Sequence, residues 1–332
     1  MSSLFDPDRS AERLPVSLIA GFLGSGKTTL LNRLVQRPDM ADSAVIINEF
    51  GEIALDHLLV APVAGEAVVL ASGCLCCAVR GDLEDTLRRL LVERDAAAIP
   101  AFARILIETS GLADPAPVVQ LFLNNPLLGR YLRLDAVIAT IDAVNGRAAL
   151  EGHWEARKQA AIADRLLVTK ADIARPAETA RLMRVLQGLN PTATIHPVLY
   201  GAIEPAALFG VGPFDATARA DRIYEREGEE HPHDHAVNAF CLSAETPLDW
   251  AKFHDWLGKL RAAHGERLLR VKGVLDIAGE DGPIAVHGVH HTFHPPVALP
   301  RWPDGERHSR LVLITSGLDK DIIERGWFGL SA

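Results

Sequence analysis

The first two-thirds of the chain alternates short apolar runs with segments whose apolar residues recur every three or four positions, as in Leu83, Leu87, Leu90 and Leu91. Short apolar runs are typical of buried strands, and the longer spacing is typical of amphipathic helices. Strands that alternate with helices predict an α/β fold with a doubly wound, mostly parallel sheet. The predicted strands cover residues 16–20, 44–48, 67–71, 104–108, 136–141, 165–169 and 194–198, and the predicted helices cover 28–35, 83–94, 155–163 and 177–189.

The pattern changes near residue 205. Residues 1–210 are assigned to the α/β domain, and residues 211–236 to an exposed linker, because they lack long apolar runs and contain a charged, histidine-containing stretch. Residues 237–332 predict a small α+β domain. Its predicted strands cover 237–243, 268–277, 284–291 and 310–315, and its predicted helices cover 248–263 and 320–327.

Composition narrows the class of protein. The chain has 332 residues, of which 48% are hydrophobic, and a formal net charge of −9. That charge argues against a general nucleic-acid binder, which usually carries a basic patch or stripe. The polar start of the chain lacks the apolar core of a signal peptide, and no run approaches the roughly 20 apolar residues that a membrane span needs. A cytoplasmic protein with no membrane partner is therefore expected.

A phosphate-binding loop lies directly after the first predicted strand. The segment from Gly21 to Thr28 reads G-F-L-G-S-G-K-T, which fits the pattern G-x-x-x-x-G-K-[ST]. The glycines let successive backbone N–H groups turn inward around phosphate oxygens, and the helix that begins at Lys27 points its positive end at the same charge. Lys27 is expected to reach the β- and γ-phosphates, and the Thr28 hydroxyl to hold Mg²⁺.

Two later segments complete a predicted nucleotide site. Glu108 ends a buried strand and Gly111 follows three residues later, which is where P-loop GTPases keep an acid that helps to hold Mg²⁺ and a glycine amide that senses the γ-phosphate. The segment Thr169-Lys170-Ala-Asp172 ends another strand. A carboxylate there can accept hydrogen bonds from N1–H and the exocyclic amine of guanine, whereas adenine offers no matching donors. Thr169 replaces the more usual Asn.

Three of the four cysteines, Cys74, Cys76 and Cys77, fall within four positions. In a reducing compartment such a cluster favours metal binding or redox chemistry over a structural disulfide. Thiolates suit Zn²⁺ or Cu⁺. Three sulfurs leave a tetrahedral ion one ligand short. The fourth ligand could be water, a histidine, a client protein or a carboxylate such as Glu49 or Glu52. Inert buried cysteines and a redox pair remain alternatives.

The cysteine cluster lies between the phosphate loop and Glu108. P-loop GTPases keep in this interval the segments that reorder when the γ-phosphate binds. In the predicted linker, His231, His233 and His235 alternate within an acidic stretch. Three imidazoles at that spacing could bind Zn²⁺, Co²⁺ or Ni²⁺ loosely, or could be incidental residues of a solvated linker.

The phosphate loop is followed, in this order, by the segments N-E-F-G-E, C-x-C-C, E-T-S-G-L-A-D-P and T-K-A-D, and then by a small domain. In this arrangement of motifs the chain resembles the CobW-type GTPases. These are metallochaperones related to the nickel-insertion GTPases of urease and hydrogenase maturation. The resemblance spans nearly the whole chain, including residues 268–273 and 301–313. It implies that the three cysteines hold the metal and that Lys27, Thr28 and Glu108 serve hydrolysis. The implied nucleotide contacts are Gly21, Gly24, Ser25, Gly26, Lys27, Thr28, Thr29, Gly111, Thr169, Lys170 and Asp172.

The leading hypothesis is a GTP-hydrolysing metallochaperone, for zinc first and for cobalt or nickel as alternatives, which delivers its ion to a target apo-metalloprotein. Binding and hydrolysis of GTP would control metal affinity and release. Intrinsic hydrolysis is expected to be slow, because no arginine finger or water-positioning residue can be assigned. The alternatives are cobalt handling in cobalamin biosynthesis, a nucleotide-dependent metal sensor, and a small-molecule P-loop kinase. Homo-oligomerisation is left open.

Overall fold

A computed structural model describes residue 5 and residues 12–48, 68–72, 79–210, 237–303 and 305–331. The chain divides into two compact units. The larger comprises Glu12–Gln187 and Ala193–Pro213, and the smaller comprises Met1–Ala11, Gly188–Thr192 and Phe214–Ala332. Within the described ranges, no helix has the length and apolar character to cross a membrane.

The larger unit is built on a seven-stranded sheet in which all paired strands are parallel, with the order β3-β2-β4-β1-β5-β6-β7. The predicted α/β fold with a parallel sheet is therefore confirmed. All seven predicted strands are present, and the main difference is that β5 begins four residues earlier than predicted. The strands are β1 Leu14–Gly21, β2 Ser43–Asn48, β3 Val68–Ser72, β4 Arg104–Glu108, β5 Leu132–Asp142, β6 Arg165–Thr169 and β7 Thr194–Pro197.

The four helices predicted for this unit are present, and its described residues contain three more α-helices that were not predicted. The seven are α1 Lys27–Val35, α2 Val79–Asp95, α3 Ala116–Asn124, α4 Leu128–Tyr131, α5 Gly146–Gly152, α6 Trp154–Ile162 and α7 Pro176–Leu189. α3 is a short, mostly apolar segment that follows Pro115, and a short apolar run does not distinguish a buried helix from a buried strand. α4 and α5 are too short to produce a periodic signal.

The central strands are buried on both faces because helices cover the sheet. Leu18 and Ile19 in β1, and Leu106 in β4, are fully buried. Leu30 and Leu34 of α1 join Ile19 and Leu106 in one apolar core. Burying each such side chain contributes about 1.5–3 kcal/mol. This packing fixes the carboxyl ends of the central strands, from which the loops of the predicted nucleotide site leave.

The smaller unit contains a six-stranded antiparallel sheet in which the main path runs β11-β10-β9-β13-β8 and β12 pairs with β10. A core that includes Phe253, Trp256 and Trp327 packs on one face of this sheet. The predicted α+β class is confirmed for this unit. Its elements are β8 Val237–Ala244, α8 Trp250–His264, β9 Leu268–Leu275, β10 Ile284–Val289, β11 Thr292–Phe293, β12 Val297–Ala298, β13 Ser309–Ser316 and α9 Lys320–Glu324.

Several predicted boundaries in this unit differ from the observed ones; the strand expected over 268–277, for example, ends at Leu275. Two of the differences have a backbone reason. The last helix was expected to reach residue 327 but ends at Glu324, because Arg325 is extended and Gly326 has φ of 93°. The strand expected over 284–291 ends at Val289. His290 follows with φ of 54°, and the chain turns back into β11.

Candidate nucleotide site

The predicted nucleotide residues converge at one edge of the parallel sheet, because parallel strands present all their carboxyl ends on the same side. β4, β1, β5 and β6 are consecutive in the sheet. They end at Glu108, Gly21, Asp142 and Thr169. Ligands of open α/β sheets bind outside these strand ends, at the point where the winding direction reverses. Here that point is β1, with β4 on one side and β5 on the other.

The loop after β1 has the shape expected of a phosphate cradle. Gly26 precedes α1 with φ of 98°, a left-handed conformation that side chains disfavour. The Ser25 amide donates to the Phe22 carbonyl at 3.1 Å, which closes a turn. The ammonium of Lys27, a residue only 9% exposed, donates to the carbonyl oxygens of Gly21 at 3.0 Å and Phe22 at 3.4 Å. The cation therefore lies along the inside of the loop.

Thr28 and Glu108 meet where α1 begins and β4 ends. The Thr28 hydroxyl donates to Glu108 Oε1 at 2.8 Å. Glu108 is 3% exposed and lies opposite Ile19 of β1 in the sheet register. A hydroxyl and a carboxylate are hard oxygen ligands of the kind that Mg²⁺ prefers, usually together with phosphate oxygens and water. The side chains that the sequence assigned to Mg²⁺ are therefore in contact, and they fit that ion.

Two hydroxyl contacts tie the loop to the neighbouring strands. Ser25 Oγ lies 2.6 Å from Thr140 Oγ1 of β5. Thr169 Oγ1 donates to the Ser25 carbonyl at 2.7 Å and lies 3.3 Å from the Ile141 carbonyl. Thr169, which departs from the usual Asn, thus joins the predicted base-recognition segment to the phosphate loop. Thr29, in the first turn of α1, is exposed.

Lys170 forms an ion pair with Asp142, the last residue of β5. Its ammonium lies 2.7 Å from Asp142 Oδ2, and its backbone is left-handed with φ of 56°. Burial alone would raise the pKa of Asp142. The hydrogen bond from Lys170, those from the amides of Val144 and Asn145, and that from the Asn145 side chain outweigh burial and hold the pKa below its usual value. The Lys170 side chain, which belongs to the base-recognition segment, is thereby held at the end of β5.

Asp172, the predicted guanine-binding acid, is exposed, as a residue that must meet a ligand should be. Its carboxylate accepts a hydrogen bond from Tyr200, which raises the pKa of that phenol. Tyr200 follows the end of β7, next to β6 in the sheet, and is 66% exposed. The loops after β6 and β7 therefore meet at the carboxylate.

Sequence reasoning missed several residues of this region. Asp142 has the same position at the end of β5 as Glu108 has at the end of β4, but the strand was predicted to stop at residue 141. Thr140 and Tyr200 lie outside every sequence motif named above, so nothing in the sequence pointed to them. Gln159 and Lys158 of α6, which contact the segment after Glu108, belong to a helix that was predicted over residues 155–163 without any functional residue.

The predicted metal ligands lie outside the described residues: Cys74, Cys76, Cys77, Glu49, Glu52, His231, His233 and His235. Among the residues that the structure does describe, no group of three or more His, Cys, Asp or Glu is placed to hold a metal ion. The two strands that lead to the first of these ligands are described. β2 ends at Asn48 and β3 at Ser72, and these two residues are register partners.

Known proteins match both parts of the chain. Residues 15–197 match the family described as CobW/HypB/UreG, nucleotide-binding domain, and residues 237–330 match the cobalamin synthesis protein cobW C-terminal domain. The zinc chaperone YjiA of Escherichia coli is 33% identical over 317 residues, which cover 96% of this chain and 98% of that protein.

Similar relatives are found beyond bacteria and among solved structures. The zinc-regulated GTPase metalloprotein activator 1 of Saccharomyces cerevisiae is 28% identical over 364 residues, covering 94% of this chain and 82% of the yeast protein. The crystal structure of Zn(II)-bound YjiA GTPase from E. coli has a TM-score of 0.76 at 28% identity, covering 96% of this chain and 99% of that chain.

Proposed function

Since this chain belongs to the CobW/HypB/UreG family, we propose that it is a GTP-hydrolysing metallochaperone that carries zinc to a target apo-metalloprotein. The names of two relatives that match over most of their length support this proposal. One is a zinc chaperone and the other a zinc-regulated GTPase metalloprotein activator. The proposal has three parts, which concern the phosphates, the base and the metal cargo.

The Thr28–Glu108 hydrogen bond is the observation that carries the nucleotide part of the proposal. These two residues would hold Mg²⁺, and this ion would neutralise charge on the β- and γ-phosphates. The loop amides would bind the phosphate oxygens. Lys27 would exchange its contacts with the Gly21 and Phe22 carbonyls for phosphate oxygens, which are stronger acceptors.

The base would lie against the loops after β6 and β7. Asp172 would accept the two N–H donors of guanine, and Lys170, held by Asp142, would flank the base. Adenine would leave the carboxylate unpaired, at a cost of about 1–3 kcal/mol. GTP and GDP are therefore the proposed nucleotides.

The cargo ion would be held by Cys74, Cys76 and Cys77, with Zn²⁺ as the proposed metal and Co²⁺ or Ni²⁺ as chemically similar substitutes. Glu49 or Glu52 could supply a further ligand, and His231, His233 and His235 could collect ions. The sheet register supports coupling to the nucleotide. β2, which leads to Glu49, is next to β4, and β3, which leads to the cysteines, is next to β2. Ile47 of β2 is the register partner of Glu108.

β3, which precedes the cysteine segment in the chain, lies two strand spacings, about 10 Å, from the strand that ends in Glu108. Loss of the γ-phosphate contacts at Glu108 would reshape this segment and lower its affinity for the ion. This fall in affinity would release the ion to the acceptor protein, and the smaller unit would help to bind that protein. An order–disorder change of this kind is a common way for a nucleotide state to be transmitted.

Metal analysis tests the cargo part of the proposal. Wild type, Cys76→Ala and Cys241→Ala would be purified anaerobically and compared with and without nucleotide. Cys241 is a free cysteine on β8, outside the cluster, and serves as the matched control. Wild type and Cys241→Ala should hold about one zinc per chain, as a single thiolate site predicts. Retention of zinc by Cys76→Ala at the wild-type level would overturn the assignment.

A further inference from the structure

Helix α6 holds the segment that follows Glu108. The side-chain amide of Gln159 donates from Nε2 to the Gly111 carbonyl at 3.1 Å and to the Ala113 carbonyl at 2.9 Å. Gln159 is fully buried. Both amide hydrogens are therefore used on two carbonyls of one short loop, and turning the amide round would place its oxygen against both acceptors. The two carbonyl acceptors therefore fix the orientation of the Gln159 amide.

The residue before Gln159 holds the far end of the same loop. Lys158 Nζ lies 2.6 Å from Asp114 Oδ2. The other carboxylate oxygen of Asp114 accepts from the Ala116 amide at 2.9 Å, at the start of α3. Two consecutive residues of α6 thus hold the loop at three points: the carbonyls of Gly111 and Ala113, and the side chain of Asp114.

These contacts set the direction of one amide in the turn that contains Gly111, the residue whose amide the sequence assigned to the γ-phosphate. The Ala113 amide donates to the Ser110 carbonyl at 3.0 Å, so Gly111 and Leu112 are the central residues of a turn. The C=O and N–H of one trans peptide point in opposite directions. By holding the Gly111 carbonyl, Gln159 therefore also fixes the direction of the Leu112 N–H.

The turn lies directly against the phosphate loop. A Cβ added at Gly111 would be 2.6 Å from Leu23 Cδ2 and 2.9 Å from the Leu23 amide nitrogen. The residue before α6 also contacts this loop, since the rings of His153 and Phe22 have centroids 4.5 Å apart. One helix with its capping residue therefore touches both the phosphate loop and the turn that follows Glu108.

We propose that Gln159 is a positioning residue for the γ-phosphate, which presets the Gly111–Leu112 turn so that its amides meet a triphosphate. Lys158 supports the same turn through Asp114. This inference rests on the proposed nucleotide site and adds a residue that belongs to none of the sequence motifs. A diphosphate lacks the γ-phosphate that the turn would contact, so loss of Gln159 should weaken the binding of a triphosphate more than the binding of a diphosphate.

The test compares Gln159→Met with wild type and with Gln187→Met. Met keeps the approximate volume and the helix propensity of Gln but has no N–H donor. Gln187 lies on α7 and provides the same substitution away from the turn. The dissociation constants for GDP and for a non-hydrolysable GTP analogue are measured with Mg²⁺ present, together with kcat for GTP.

For Gln159→Met we expect the dissociation constant of the analogue to rise about tenfold, which is the effect of two lost hydrogen bonds. We expect kcat to fall by a similar factor and the GDP constant to stay within about twofold. Gln187→Met should match wild type. If the dissociation constants of the analogue and of GDP rise by the same factor, Gln159 has only a structural role. If neither constant rises, the turn does not depend on Gln159. Either result overturns the inference.

Two further variants keep the test decisive. If Gln159→Met does not fold, Lys158→Met should raise the analogue constant about threefold without affecting GDP, as expected for one partly buried ion pair. An unchanged analogue constant in that variant would overturn the inference.

Thr28→Ala tests the nucleotide site itself. If Thr28→Ala leaves Mg²⁺-dependent binding and hydrolysis intact, the proposed function fails, whereas an effect there without one in Gln159→Met removes only the role of Gln159.

Discussion

The hydroxyl of Thr28 donates a hydrogen bond of 2.8 Å to the carboxylate of Glu108, although the two residues are 80 positions apart. Thr28 lies in the first turn of α1, directly after β1, and Glu108 ends β4, the strand next to β1. Adjacent parallel strands therefore deliver a hydroxyl and a carboxylate to one point. In the proposed mechanism these are the protein oxygens that hold Mg²⁺.

Replacement of the carboxylate should separate nucleotide binding from hydrolysis. Glu108→Gln keeps the shape and can still accept from Thr28, but it removes the negative charge. We expect kcat for GTP to fall on the order of 100-fold, as when one electrostatic contact to a transition state is lost. GDP affinity measured without Mg²⁺ should change little. A variant with wild-type kcat at saturating Mg²⁺ would show that Glu108 has no role at the metal.

The assignment of the base can be tested by exchanging its acceptor for a donor. In Asp172→Asn the side chain can no longer accept from both guanine donors, and GDP should bind about 10- to 100-fold more weakly. Xanthosine diphosphate carries a carbonyl where guanine carries the amine, so it should bind the variant more tightly than it binds wild type. ADP is the control and should not change. Unaltered GDP affinity would remove Asp172 from the base site.

The Thr169 hydroxyl should matter to the phosphate loop as a whole. Thr169→Val keeps the shape but leaves the Ser25 carbonyl without its 2.7 Å donor, which should cost about 1–2 kcal/mol of unfolding free energy. Because the loop would bind both nucleotides, the affinities of the variant for GDP and for a GTP analogue should fall by the same factor. Thr169→Ser retains the hydroxyl and should lie close to wild type. A Val variant as stable as wild type would contradict the prediction.

The Asp142–Lys170 pair predicts a pH-dependent contribution to stability. The pKa of Asp142 is held below its unfolded value, so the carboxylate stabilises the fold above the unfolded pKa of about 3.9 and loses this effect as pH falls through the lower folded pKa. Melting temperatures of wild type and Asp142→Asn should differ most above about pH 5, and the difference should begin to shrink only as pH falls below about 4. A difference that is constant from pH 3 to pH 7 would contradict this.

The parallel sheet could be predicted because its strands are short apolar runs separated by helices. β4 and β6 match their predicted bounds, since Glu108 and Lys170 mark where apolar sequence stops. α5 could not be predicted, because seven residues give too little periodicity. The motifs also identified Thr28 and Glu108, since each residue follows or ends an apolar run at a known spacing.

The contacts between loops could not be predicted from local sequence. Thr169 was recognised as a departure from the usual Asn, but its bond to Ser25 joins residues 144 positions apart. Gln159 looks like a polar residue in an Ala-rich helix, and only the fold places it against Gly111. The sequence pattern therefore predicts the residues that would touch the nucleotide, and the structure adds contacts that would position them.

The central claim is that the nucleotide state sets the affinity of the cysteine segment for zinc. The most direct measurement is a competitive zinc titration of the intact protein in its nucleotide-free, GDP-bound and GTP-analogue-bound forms, with Cys76→Ala as the control. The account predicts that wild type binds zinc more tightly with the analogue than with GDP, by about 5- to 150-fold, which is the usual range for coupled sites. Identical zinc affinity in all three forms would contradict it.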